Sequence, residues 1–149
     1  DDALENIAKA SAVEAVKRSR LPVIVEDAGL FIKALNGFPG PYSSYVYRTI
    51  GTNGILKLMS NESQREAFFL SAVAFSSPER RAAKCFLGRV EGGITHTERG
   101  RRGFSFDPIF EPFDASGKTF AEMPIEQKNK CSHRAQSLRK FAEWYSLHV

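Results

Sequence analysis

Apolar residues recur at helical spacing at the start of the chain, where Leu4, Ile7, Ala8, Ala12 and Ala15 line one side. Glu5, Lys9, Lys17 and Arg18 fall away from it. This pattern predicts an amphipathic helix, and Pro22 closes the connection behind it. Val23-Ile24-Val25 is a continuous β-branched run, as expected of a buried strand, and it breaks at Glu26-Asp27-Ala28-Gly29. Apolar character resumes at Leu30-Phe31-Ile32, and Asn36-Gly37 marks a turn. Gly37-Phe38-Pro39-Gly40-Pro41-Tyr42 is a stiff loop by composition. Ser43 or Ser44 is suited to cap a helix carrying Val46, Tyr47 and Ile50, and Thr52-Asn53 one carrying Ile55, Leu56 and Met59.

The middle of the chain is strand-rich. Ala67 to Phe75 and Ala83 to Val90 read as two strands joined by the polar turn Ser76-Ser77-Pro78-Glu79-Arg80. Gly92-Gly93 interrupts the second, and Ile94 to Thr97 reads as a third. A basic loop, Arg99-Gly100-Arg101-Arg102-Gly103, opens onto Phe104-Ser105-Phe106-Asp107-Pro108 and a short strand at Ile109-Phe110. Pro124 suits the first position of a helix over Ile125 to Asn129. Ser132 suits the N-cap of a last helix with Ala135, Leu138, Ala142 and Tyr145 inward. Helices and strands mix without strict alternation and without internal repeats, which predicts an α/β protein with a mixed sheet.

The length of 149 residues fits one domain spanning 1–149, and 42% hydrophobic residues suit a globular core. The apolar runs are far shorter than the roughly 20 residues of a membrane span, and the acidic, amphipathic start is unlike a signal peptide. Cys85 and Cys131 are far apart, and His96, His133 and His148 are scattered. A zinc site of His and Cys is not expected, and a reduced, cytoplasmic protein is. The net charge of +4 suits an anionic ligand as well as an ordinary solvated surface.

Glu26-Asp27 is the sharpest chemical signal. Two carboxylates at the end of a buried strand are costly unless solvated, paired or metal-bound. Alternation sends them to opposite faces, and Ala28-Gly29 allows a ligand to approach closely. Such a carboxylate is able to hold Mg²⁺ and orient a water against a phosphate; the competing reading is the start of a turn. Phe104, Ser105, Phe106 and Asp107 offer aromatics to stack a base and an acid to accept from it, against the reading that the phenylalanines are core. Lys128, His133 and Arg134 gather cations near a helix start, an anion site by its nature, against a solvated helix start. Lys9 and the arginines at 99, 101 and 102 read equally as surface. Walker, HExxH and GxSxG sequences do not occur.

Five stretches together resemble the inosine/xanthosine triphosphate pyrophosphatase family, which hydrolyses non-standard purine nucleotides. They are Leu21-Pro22-Val23-Ile24-Val25-Glu26-Asp27-Ala28-Gly29-Leu30, Gly37-Phe38-Pro39-Gly40-Pro41-Tyr42-Ser43, Gly103-Phe104-Ser105-Phe106-Asp107-Pro108-Ile109-Phe110, Lys118-Thr119-Phe120-Ala121-Glu122-Met123, and Lys128-Asn129 with Ser132-His133-Arg134. Phe31, Tyr45, Val46, Tyr47 and Arg48-Thr49-Ile50-Gly51 look like archaeal members. The resemblance implies an elongated mixed sheet with two helix-flanked lobes around a central cleft. It implies conversion of ITP, dITP or XTP to the monophosphate and pyrophosphate with Mg²⁺, in a homodimer that takes free nucleotide and engages neither nucleic acid nor membrane. Asp27 would be the general base and a metal ligand, with Glu26 the accompanying acid at the metal. Phe104 to Asp107 would line the base pocket, Ala28 would be a substrate-binding position, and Lys128, His133 and Arg134 would contact the nucleotide.

Three departures accompany the match. The family's opening strand and its Ser/Thr-x-Asn-x-x-Lys phosphate loop are not found, so the sequence is expected to start inside the following helix. A metal-binding glutamate is expected upstream of Asp1, and Ala28 replaces the usual Ser or Thr. A nucleotide-binding protein without turnover is therefore the alternative.

Overall fold

Leu4, Ala8 and Ala12 are fully buried and form the inner stripe of α1 (Asp2–Ser19), with Lys17 and Arg18 favourably placed in its last turn. The computed structural model describes residues 2–80 and 82–149. Small alanines on this stripe let the helix lie close to a sheet of β1 (Val23–Ile32), β2 (Glu66–Ser76), β3 (Lys84–Ile94) and β4 (Phe110–Pro112). The sheet order follows the chain, and each pairing is antiparallel. The α/β class therefore holds, while the described sheet is antiparallel throughout where a mixed one was expected. Between β1 and β2 lie α2 (Ser43–Thr49) and α3 (Gly51–Leu58); α4 (Ile125–Cys131) and α5 (His133–His148) close the chain. No described helix is long and apolar enough to cross a membrane.

Strand alternation sorts the sheet into two faces. Leu70, Ala72 and Ala74 of β2, with Phe31 of β1, meet α1. Phe69 faces the other side, in a core with Leu30, Ile32, Phe110 and Phe120, and Phe75 on that side packs against Phe141 and Trp144 of α5. In register, Glu26 lies opposite Val73, Asp27 opposite Ala72 and Ala28 opposite Ser71. Glu26 and Ala28 thus belong to the α5 side and Asp27 to the α1 side.

Four expectations change here. β1 does not stop at Glu26 but runs through Glu26-Asp27-Ala28-Gly29 to Ile32. It is an edge strand of the described sheet, so its carboxylates stay half-buried rather than sealed in. Likewise β3 continues across Gly92-Gly93, because a Cβ at Gly92 would sit 2.5 Å from the Glu111 carbonyl oxygen of the neighbouring strand. The inner stripe of α5 is His133, Ser137, Phe141 and Trp144, rotated from the predicted one; Leu138, Ala142 and Tyr145 are exposed. The rotation follows from Gly88 of β3, whose missing side chain admits the His133 carbonyl and brings Ser137 onto the strand. Ser132 does cap α5, accepting a hydrogen bond from the Ala135 N–H at 3.1 Å. Pro124 stands at the N-cap of α4, one residue before the predicted position.

Candidate active site

At the edge of β1 the chain binds its own neighbouring loop. The Ser43 hydroxyl accepts from the Leu30 N–H at 2.8 Å and donates to the Gly40 carbonyl at 2.7 Å. Gly29 is required there, since a Cβ would lie 2.3 Å from the Gly40 oxygen. These contacts bring Ser43, Ser44 and Tyr47 beside Glu26, Asp27 and Ala28.

The opposite wall is built by Asp107, at the start of a single 3-10 turn, Asp107–Ile109. Its carboxylate accepts from the Phe104 N–H at 3.0 Å and from Lys128 Nζ at 2.5 Å. Gly103 has φ +74, and a Cβ on it would lie 2.2 Å from that carboxylate. The clasp turns Phe104 outward, 56% exposed, with Lys128 Nζ 4.6 Å and Arg134 Cζ 5.0 Å from its ring centre. Phe106 turns inward: it is fully buried in the core and meets Tyr47 edge to face at 5.4 Å. Of the two phenylalanines expected at a base, Phe104 alone presents its ring to the cleft. Phe106 supports from behind, the chain turning between the two rings through Ser105 at φ 57.

The third wall is the start of α5. The His133 ring lies parallel to Phe69, centres 4.6 Å apart, and its buried Nδ1 has no partner among the described residues. Burial, reinforced by the nearby Arg134 and Lys128 charges, lowers its pKa to about 3, so the imidazole is neutral at physiological pH. Arg134 reaches back to β1, where Nε lies 3.1 Å from Glu26 Oε2 and Nη2 donates to Oε1 at 3.2 Å. Asp27 has no ion pair among the described residues. Burial and then the Glu26 charge raise its pKa, against a lowering hydrogen bond from the Ala28 backbone.

Glu26, Asp27, Ala28, Phe104, Ser105, Asp107, Lys128, His133 and Arg134 all border one cavity of about 390 Å³. A second, more apolar cavity of about 690 Å³ adjoins it and shares Phe104, Lys128, His133 and Arg134. Both volumes lie in the range of small-molecule sites. Lys9 is instead paired with Glu5 on α1 at 3.0 Å. Arg99 is held by Glu111 at 2.6 Å and by the Gly117 carbonyl, bracing its loop. The stiff loop at 37–42 carried a visible composition signal for what Ser43 and Gly40 do here. Phe69 and Ser71, inside an ordinary strand pattern, carried none.

The fold and this cleft define an α/β protein in which carboxylates, cations and the exposed ring of Phe104 converge on a single site. A model of the Ham1 family matches residues 1–144, and the chain belongs to that family. It is 50% identical over 148 residues to a dITP/XTP pyrophosphatase of Methanopyrus kandleri, covering 99% of this chain and 78% of that protein. It is 52% identical over 143 residues to one of Methanothermobacter marburgensis, covering 96% and 75%. Among solved structures, a HAM1 protein from Coxiella burnetii superposes with TM-score 0.88 at 30% identity, covering 96% of this chain and 76% of that one.

Proposed function

We propose that this protein hydrolyses non-canonical purine nucleoside triphosphates, dITP, XTP and ITP, to the monophosphate and pyrophosphate. The observation that carries the reading is the convergence of Asp27 with Lys128, His133 and Arg134 on one cleft in a Ham1-family chain. The alternative of binding without turnover finds no support in relatives named as pyrophosphatases.

The two joined cavities suit the two ends of a nucleotide. The base stacks on Phe104 in the apolar part, where the Lys128 and Arg134 cations already border the ring. Hypoxanthine and xanthine present a 6-oxo acceptor where adenine presents an amino donor. Arg134 donates to that oxygen; with ATP, donor faces donor, and such polar mismatches discriminate by roughly 10⁴-fold. His133 stays neutral and adds no charge to this end. Asp27 takes the proton of the attacking water, and its raised pKa strengthens it as a base.

A Mg²⁺ ion fits the half-buried Asp27 carboxylate, an oxygen donor without a cationic partner among the described residues. No group of three His, Cys, Asp or Glu side chains gathers for a metal among the described residues. Asp27 and the substrate's own phosphate oxygens are the donor set, as is usual for this ion. When bound, Mg²⁺ neutralises phosphate charge and stabilises the departing pyrophosphate. The reading extends to a cytoplasmic homodimer in which residues 1–149 belong to one pyrophosphatase domain, with two lobes around the cleft and free nucleotide as its ligand. Pyrophosphate release from dITP, XTP, ITP and ATP tests it: turnover of the first three with ATP far behind is expected, and equal turnover of ATP overturns the base selection.

A further inference from the structure

Glu26 and Asp27 are adjacent in sequence but lie on opposite faces of β1. Asp27 has no ion pair among the described residues, whereas both oxygens of Glu26 are already engaged. Oε1 accepts from Arg134 Nη2 at 3.2 Å, and Oε2 lies 3.1 Å from Arg134 Nε and accepts from the Ser71 hydroxyl at 2.7 Å. Ser71 is fully buried and lies 2.8 Å from the hydroxyl of Ser137, also fully buried and one turn after Arg134 on α5. Sheet and helix thus hold both ends of one ion pair. The fork occupies the Nε–Nη2 side of the guanidinium and leaves the Nη1 side without a partner among the described residues.

We propose that Glu26 is a positioning residue for Arg134 rather than a metal ligand: it holds the guanidinium so that its Nη1 edge faces the purine 6-oxo group beside Phe104. The inference rests on the purine triphosphatase reading above and assigns its base selection to a four-residue chain, Ser137, Ser71, Glu26 and Arg134. A guanidinium is a rigid fork on a flexible stem. Fixing the fork before substrate arrives removes the ordering cost from binding and aims the donor. Ser71 keeps the carboxylate from following the arginine when the base binds.

Glu26→Gln keeps the shape and the acceptor for Ser71 but removes the charge. The expected result is a rise in KM for dITP of about tenfold and a fall of about tenfold in the dITP/ATP ratio of kcat/KM. The Mg²⁺ concentration for half-maximal rate stays unchanged. Binding of dIMP measured in EDTA, with no metal present, weakens by the same factor. In an Arg134→Lys background, adding Glu26→Gln leaves the dITP/ATP ratio where Arg134→Lys alone set it. Ser71→Ala withdraws one donor and moves the ratio the same way by about two- to threefold; it covers the case in which Glu26→Gln does not fold. A raised Mg²⁺ requirement with unchanged discrimination overturns the proposal, as do effects of Glu26→Gln and Arg134→Lys that simply multiply, or a Ser71→Ala ratio equal to the parent's. Should the parent protein fail to hydrolyse dITP, the functional reading falls, and the dIMP binding arm still decides the role of Glu26.

Discussion

Replacing Gly88 with alanine tests how firmly the start of α5 is pressed on the sheet. An ideal Cβ at Gly88 would lie 2.0 Å from the His133 carbonyl oxygen, 2.8 Å from the Ser137 nitrogen and 2.9 Å from Gln136 Cβ. The two nearest atoms are helix backbone, so no side-chain rotation relieves the clash. Ordinary contact requires the helix start to retreat by about 1 Å or more. That retreat stretches the 2.8 Å Ser71–Ser137 hydrogen bond and lifts Arg134 from Glu26. Overpacking of this kind costs about 1–3 kcal/mol, which for a chain of this size lowers Tm by about 5 °C. Displacement of the purine-reading side chains by an ångström predicts a loss of about ten- to a hundredfold in dIMP affinity. Gly93→Ala on the same strand is the control, since its Cβ has no neighbour nearer than 3.6 Å. Thermal unfolding and calorimetric titration with dIMP measure both effects. A Gly88→Ala protein with the parent's Tm and affinity refutes the claim that this close approach sets the site.

Three further outcomes are expected. His133 is held neutral with its pKa lowered from 6.5 to about 3, so between those values the unfolded chain binds the extra proton. The stability this contributes is fully present above pH 6.5 and is lost as pH falls towards 3, with a slope approaching about 1.4 kcal/mol per unit; urea unfolding at pH 4 to 7 checks it, and His133→Asn flattens the curve. Lys128→Met strands the buried Asp107 carboxylate and costs about 3 kcal/mol; calorimetry reads the loss, and Lys128→Met with Asp107→Asn recovers part of it. Phe104→Ala removes an exposed ring, leaving Tm nearly unchanged while weakening dIMP binding by at least about tenfold.

Much of the helix and strand order was legible because burial and period coincide, as in Leu4, Ala8 and Ala12 of α1. The passage through Glu26 to Gly29 was not, because a carboxylate pair reads as a strand end unless the strand is known to lie at an edge. The inner stripe of α5 was misplaced for a related reason. Its buried Ser137 is polar, and it is buried because Gly88, 49 positions earlier, leaves room for it. Periodicity within one helix carries no information about that distant glycine. At the site, motif resemblance named nine residues that do border one cavity. It could not separate Phe104 from Phe106, since the two differ only in the direction a turn sends them. Ser71 and Phe69 sit inside a regular strand pattern, and only the register reveals that they face Glu26 and His133.

Product analysis of dITP with Mg²⁺, for the parent protein beside Asp27→Asn, shows whether pyrophosphate is released and whether Asp27 is the base. Equal amounts of dIMP and pyrophosphate are expected from the parent. Asp27→Asn is expected to lose about 10²- to 10⁴-fold in rate while still binding dIMP in EDTA. Release of orthophosphate in place of pyrophosphate, or a parental rate in Asp27→Asn, would contradict the proposed function.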